Sequence, residues 1–181
     1  MPDCKGGARK GFGNMSSIAQ ALPDPEIQAA AAYFASLTVR PWVRVVETDT
    51  VPKTYVKPSN MRLPLPNGGS EPIGDHIVEL PEDEAAAIAR DPRSGFIAYV
   101  PPGSIAKGQV IVKIGGGETT ACTVCHGPAL NGIGATPPIA GRHTGYVVRQ
   151  LDFFQNGSCP GPAEARCATS VQRLTADDML V

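Results

Sequence analysis

The chain has 181 residues with 20 glycines and 18 prolines, which allows one ordinary domain or two small ones, with short helices between long loops. Hydrophobic residues make up 42% but aromatics only 6%, and a small domain of this kind needs a staple such as a metal, a disulfide or a cofactor. A net charge of -1 excludes the basic field that draws a chain to nucleic acid or anionic lipid, and no apolar run is long enough to span a bilayer.

The first residues, Met1-Pro2-Asp3-Cys4-Lys5-Gly6-Gly7, lack the apolar core of a secretion signal, which predicts either a cytosolic protein or a true start further upstream. A glycine-broken lead-in runs to Asn14-Met15 and the short apolar turn Ile18 to Leu22. Residues 24–37 read as the most secure helix: Asp24 suits the N-cap, Pro25 the first helical position, and Ile27, Ala30, Ala31, Phe34 and Leu37 recur at helical spacing.

From Pro41 to about Pro102 the texture changes to short β-branched runs, Val43 to Val46 and Phe96 to Val100, separated by prolines and the turn former Pro66-Asn67-Gly68-Gly69. This predicts a connecting segment with little regular structure that wraps on a neighbour. Within it, residues 81–90 carry a brief helical pattern with acids in the first turn and Arg90 at the end, as the helix dipole favours.

Residues 104–114 are ambiguous between strand and helix: Ile105, Val110 and Val112 favour a strand, while Gly115 to Gly117 would serve as a helix C-cap. A stretch rich in glycine and proline, 127–141, precedes a short amphipathic helix marked by Val147, Leu151 and Phe154. Near the end, Thr175 followed by Asp178 is a helix start, within two turns of Val181.

Five cysteines stand at 4, 122, 125, 159 and 167. Cys122-Thr123-Val124-Cys125-His126 is the strongest signal, because two thiols at this spacing followed at once by imidazole form the attachment pattern of c-type haem. Each thiol adds across one porphyrin vinyl group, and one short turn brings both sulfurs to the ring edge while His126 reaches the iron from the proximal face. The second imidazole nitrogen then needs an acceptor to orient the ring, and a carbonyl from the following loop would serve.

Other readings of the same residues are a zinc site completed by His143, Cys159 or Cys167, a thiol redox couple, and chance. Zinc sites more often pair two separated ligand couples, and Gly127-Pro128 obstructs the helix that a redox couple requires. Cys159 and Cys167 lie eight apart and could bridge in an oxidising compartment, whereas Cys4 has no obvious mate.

The segment Cys122 to Gly127, then Pro137-Pro138-Ile139-Ala140-Gly141-Arg142, Tyr146 to Leu151 and Leu174 to Met179 resembles the second domain of bacterial tandem two-haem cytochromes c of class I. Met15 to Leu22, with Ala32 to Leu37, resembles the last third of the first domain in that family. The resemblance covers roughly 1–40 and 102–181. It implies a mainly α protein: a remnant of a first domain at 1–40, a long irregular Pro-rich linker at 41–101, and a haem-binding domain at 102–181 that is cut within its closing helix. It also makes 104–114 a helix.

The same resemblance implies that Pro137 supplies the orienting carbonyl for His126, the proximal iron ligand, and that a methionine sulfur fills the sixth position just before the closing Leu-Thr element. Here the sequence departs from the family, since Glu164 to Val171 holds no methionine and Cys167 occupies about that place. Three arrangements stay open: Cys167 ligates the iron, Met179 swings in, or the site is open. A thiolate would lower the haem potential where a thioether raises it. Met179 otherwise reads as helix packing, and Met15 would be the sixth ligand of a first haem that has no attachment motif in this chain. His76 and His143 read as solvated side chains, His143 being the reserve ligand.

The expected function is one-electron transfer through one covalent haem c, with no catalysis by the chain itself, between redox partner proteins such as a dehydrogenase, an oxidase or another cytochrome. The family's location is the periplasm. An open-face haem enzyme or sensor, a zinc-bound module and a non-functional gene fragment are the rival readings.

Overall fold

Prolines and β-branched residues alternate through 41–101, and there the structure, a computed structural model describing residues 20–38, 41–117, 119–157 and 162–180, differs from the expected irregular linker. The stretch forms seven short strands, β1 (Val43–Glu47), β2 (Thr50–Pro52), β3 (Thr54–Val56), β4 (Arg62–Pro64), β5 (Ser70–Pro72), β6 (Val78–Pro81) and β7 (Phe96–Val100). One short helix, here α2 (Glu84–Ile88), lies between β6 and β7, and the Asp83 side chain caps it by accepting from the Ala86 N–H at 2.9 Å.

β7 is the centre of a three-stranded sheet: it pairs in parallel with β1, from Val43↔Phe96 to Glu47↔Val100, and antiparallel with β6. β2 with β5 and β3 with β4 form two small antiparallel ladders. Val51, Leu63, Ile73, Leu80, Ala98 and Val100 are buried between these elements, so most of the apolar core among the described residues belongs to this segment. Strands of three to five residues are too short to display their alternation, and the β1–β7 pairing joins residues more than fifty apart, which is why the sequence reads as a linker.

The remaining described residues are helical. Here α1 spans Asp24–Ser36, with Pro23 rather than Asp24 at the cap and every residue exposed. The ambiguous segment is a helix, α3 (Ser104–Ile114), which ends where Gly115 adopts φ 82 and donates its N–H to the Ile111 carbonyl. Next come α4 (Cys122–His126), α5 (Thr144–Gln155), α6 (Pro162–Val171) and α7 (Ala176–Met179). α7 begins in a capping box between Thr175 and Asp178. A mainly α architecture therefore describes α1 and the described residues of 102–180, and the 41–101 segment departs from it.

Neither α3 nor α5 has a side-chain cap from the residue that precedes it. The strands supply both caps instead. Glu47 at the end of β1 accepts from the Ile105 N–H at 2.8 Å, and Glu79 in β6 accepts from the Thr144 N–H at 3.0 Å and the Thr144 hydroxyl at 2.9 Å. A carboxylate at a helix N-terminus satisfies an orphan donor and meets the positive end of the dipole.

Candidate functional site

Cys122, Thr123, Val124, Cys125 and His126 form the single helical turn α4, with both thiols one turn apart. Gly127 ends it at φ 83 by donating its N–H to the Thr123 carbonyl. Cys125 is exposed and Cys122 half-buried, and that burial pushes the Cys122 thiol above its ordinary value, so it stays protonated at neutral pH.

The structure brings His126 and Pro137 together: His126 Nδ1 lies 2.8 Å from the Pro137 carbonyl oxygen. A carbonyl can only accept, so Nδ1 carries the proton and the Nε2 lone pair is left for a metal. The loop between them is closely stitched. Gly132 donates its N–H to the His126 carbonyl at 2.8 Å, and Ile139 and Ala140 both donate to the Leu130 carbonyl. Gly132 sits at φ +87, and a Cβ there would meet the Thr136 oxygen at 2.5 Å and the backbone of Pro137 at 3.1 Å. Glycine is required by backbone shape and by space alike.

Cys167 stands half-buried on α6. That helix is tied to the approach to α4 by a hydrogen bond from the Thr119 hydroxyl to the Ser170 carbonyl, and to α5 by Gln155, whose amide donates to the carbonyls of Val171 and Leu174 at 2.8 and 2.7 Å. Met179 is half-buried on α7, the helix whose Asp178 pairs with Lys107 of α3 at 3.8 Å. Cys4, Met15 and Cys159 lie outside the described residues, as does one end of the Cys159–Cys167 bridge. His76 is exposed in the turn before β6.

His143 differs from the solvated side chain expected of it. Its Nδ1 donates to Glu79 at 2.6 Å and its ring meets Phe96 edge-on at 4.8 Å. Among the described residues no three His, Cys, Asp or Glu side chains converge as a metal site, and Cys159, one candidate for the zinc set, lies outside them. Sequence reasoning also missed Glu47, Glu79 and Gly132. Asn131-Gly132 was legible as a turn, but nothing local marks Glu79, whose partner is 64 residues away.

The residues present fit a haem. One turn carries both thiols, the imidazole is oriented with one nitrogen unused, and the apolar Val124 and Ile133 beside it are 67% and 56% exposed. Among the described residues of 102–180, Leu174 is the one buried large apolar side chain, and a flat apolar macrocycle would complete such a core.

No family model matches the chain. Over 41 residues it is 45% identical to cytochrome c-552 of Acidithiobacillus ferridurans, a match covering 23% of this chain and 18% of that protein. A solved structure of Acidithiobacillus ferrooxidans cytochrome c4 aligns with a TM-score of 0.48 at 20% identity, over 92% of this chain and 64% of that one. The chain thus spans less than two thirds of either protein. Over the stretch matched in sequence, this chain is similar to a bacterial c-type cytochrome.

Proposed function

We propose that this chain carries single electrons by way of one haem c held through Cys122, Cys125 and His126. The observation that carries the reading is the turn Cys122–His126 with His126 Nδ1 bonded to the Pro137 carbonyl at 2.8 Å, which leaves the Nε2 lone pair for a metal. Bound haem supplies a reversible one-electron change between ferric and ferrous iron.

The residues do the rest. Cys122 and Cys125 would hold the haem covalently, each sulfur joined to one of its vinyl groups as a thioether, and His126 would bind its iron. Pro137 keeps the His126 ring in one tautomer and raises its donor strength. Cys167, in the place where related cytochromes carry methionine, is the candidate sixth ligand, and as a thiolate it would lower the potential.

In the same reading, residues 1–40 correspond to the end of a first cytochrome domain and 102–181 to a second. Its partners are redox proteins, a dehydrogenase or other donor on one side and a respiratory acceptor on the other, in the periplasm where c-type haem is attached. Among the described residues no helix is long and apolar enough to cross a membrane.

The test is a pyridine haemochrome spectrum and intact mass of protein expressed with a secretion signal and the haem-attachment machinery. One haem that survives denaturation is the expected result. A bare polypeptide mass, with zinc or no metal, would overturn the reading. Rapid carbon monoxide binding by the reduced native protein would instead show an open sixth position and favour a ligand-binding role over electron transfer.

A further inference from the structure

We propose that Glu79, on a strand of the 41–101 segment, is a positioning residue for the proximal ligand His126, acting through His143, Thr144 and the Pro137 loop. This rests on the haem reading above.

Glu79 uses both carboxylate oxygens. One accepts from His143 Nδ1 at 2.6 Å, the other from the Thr144 N–H at 3.0 Å and the Thr144 hydroxyl at 2.9 Å. Its own backbone is fixed in β6 opposite Ala98, a residue with 0% exposure at the centre of the sheet. Phe96 of the neighbouring strand holds the His143 ring edge-on. The grip is therefore made by a rigid element on the exact start of α5.

Between that grip and Pro137 the chain is tied at several points. Pro137 and Pro138 have fixed φ, Ile139 and Ala140 donate to the Leu130 carbonyl at 2.9 and 3.1 Å, and Arg142 donates its Nε–H to the Pro138 carbonyl at 3.4 Å. At the far end the Pro137 carbonyl meets His126. A displacement of His143 and Thr144 passes toward that carbonyl through the turn at Gly141 (φ +69), which the Arg142 N–H closes by donating to the Ile139 carbonyl at 3.4 Å, and then through Ile139 and Ala140. The segment that reads as a linker thereby reaches the metal ligand.

Glu47 provides the control, because it caps α3 in the same way, and α3 meets the Cys122–His126 turn through the Thr123 hydroxyl and the Val112 carbonyl at 3.4 Å, a route that does not pass through the Pro137 carbonyl. Haem content of the wild type is measured first, by pyridine haemochrome; a wild type without covalent haem overturns the underlying reading before any variant is made. In haem-loaded protein, Glu79→Ala is expected to speed exchange of the His126 Nδ1 proton several-fold and to move its chemical shift, while Glu47→Ala lowers Tm and leaves both signals in place. Glu79→Gln, which keeps an acceptor oxygen, should fall between wild type and Glu79→Ala, and it is the variant read if Glu79→Ala does not fold. Unmoved His126 signals in both Glu79 variants overturn the proposal, and so do equal shifts in Glu47→Ala, which would reflect general loosening.

Discussion

Replacing Gly132 by alanine separates backbone strain from steric displacement of the carbonyl that orients His126. At φ +87 a residue with a Cβ loses roughly 1–2 kcal/mol in the left-handed region. The new Cβ also meets the Thr136 oxygen at 2.5 Å, the Pro138 nitrogen at 3.0 Å and the Pro137 carbonyl carbon at 3.1 Å, and none of these can move away by a side-chain rotation. Overpacking of this kind costs about 1–3 kcal/mol, which brings the total to about 3 kcal/mol and lowers Tm by roughly 6–12 °C. Gly134→Ala is the matched control: φ is +58 but nothing lies within 4 Å of its Cβ, so only the backbone cost of about 1–2 kcal/mol applies. Thermal unfolding followed by circular dichroism, with the His126 Nδ1 proton signal of the haem-loaded protein, reads both effects. Equal Tm losses in the two variants, or an unmoved His126 signal in Gly132→Ala, would refute the reasoning.

Leu63 is 1% exposed in the 41–101 segment, and Leu63→Ala should cost about 2–5 kcal/mol by chemical denaturation; a loss under 1 kcal/mol would mean that this segment has no packed core. Cys125→Ala should keep haem attached through Cys122 alone, with the pyridine haemochrome band moved to longer wavelength because one vinyl group stays conjugated; complete loss of haem would show that both thiols are needed for attachment. The Thr175 N–H and hydroxyl hold the Asp178 carboxyl below its ordinary value, with Lys107 adding a smaller attraction. Since the folded value lies below the unfolded one, this stabilisation is complete above the unfolded value and lost as pH falls through the folded one. The Tm gap between wild type and Asp178→Asn should therefore be constant near neutrality and shrink below about pH 4, and a gap that persists undiminished well into acid would contradict the assignment.

The chain by itself marked the candidate site by its motif and the local elements around it by their caps and spacing. Cys122 to His126 match the haem-attachment pattern by spacing, Gly115 marks the end of α3, Thr175 and Asp178 mark the start of α7, and Val147, Leu151 and Phe154 mark α5, because each signal is complete within a turn or two. The helix-or-strand ambiguity at 104–114 was resolved in advance only by resemblance, since β-branched residues and a glycine C-cap argue locally in opposite directions. Tertiary structure alone decided the strands and the core of 41–101. Its strands are short, its sheet joins Val43–Glu47 to Phe96–Val100 across the intervening hairpins, and its carboxylates Glu47 and Glu79 find partners at Ile105 and Thr144. The energy of such contacts depends on which distant groups the fold brings within 3 Å, and a glutamate that will cap a helix 65 residues away looks, in its own neighbourhood, like any solvated acid.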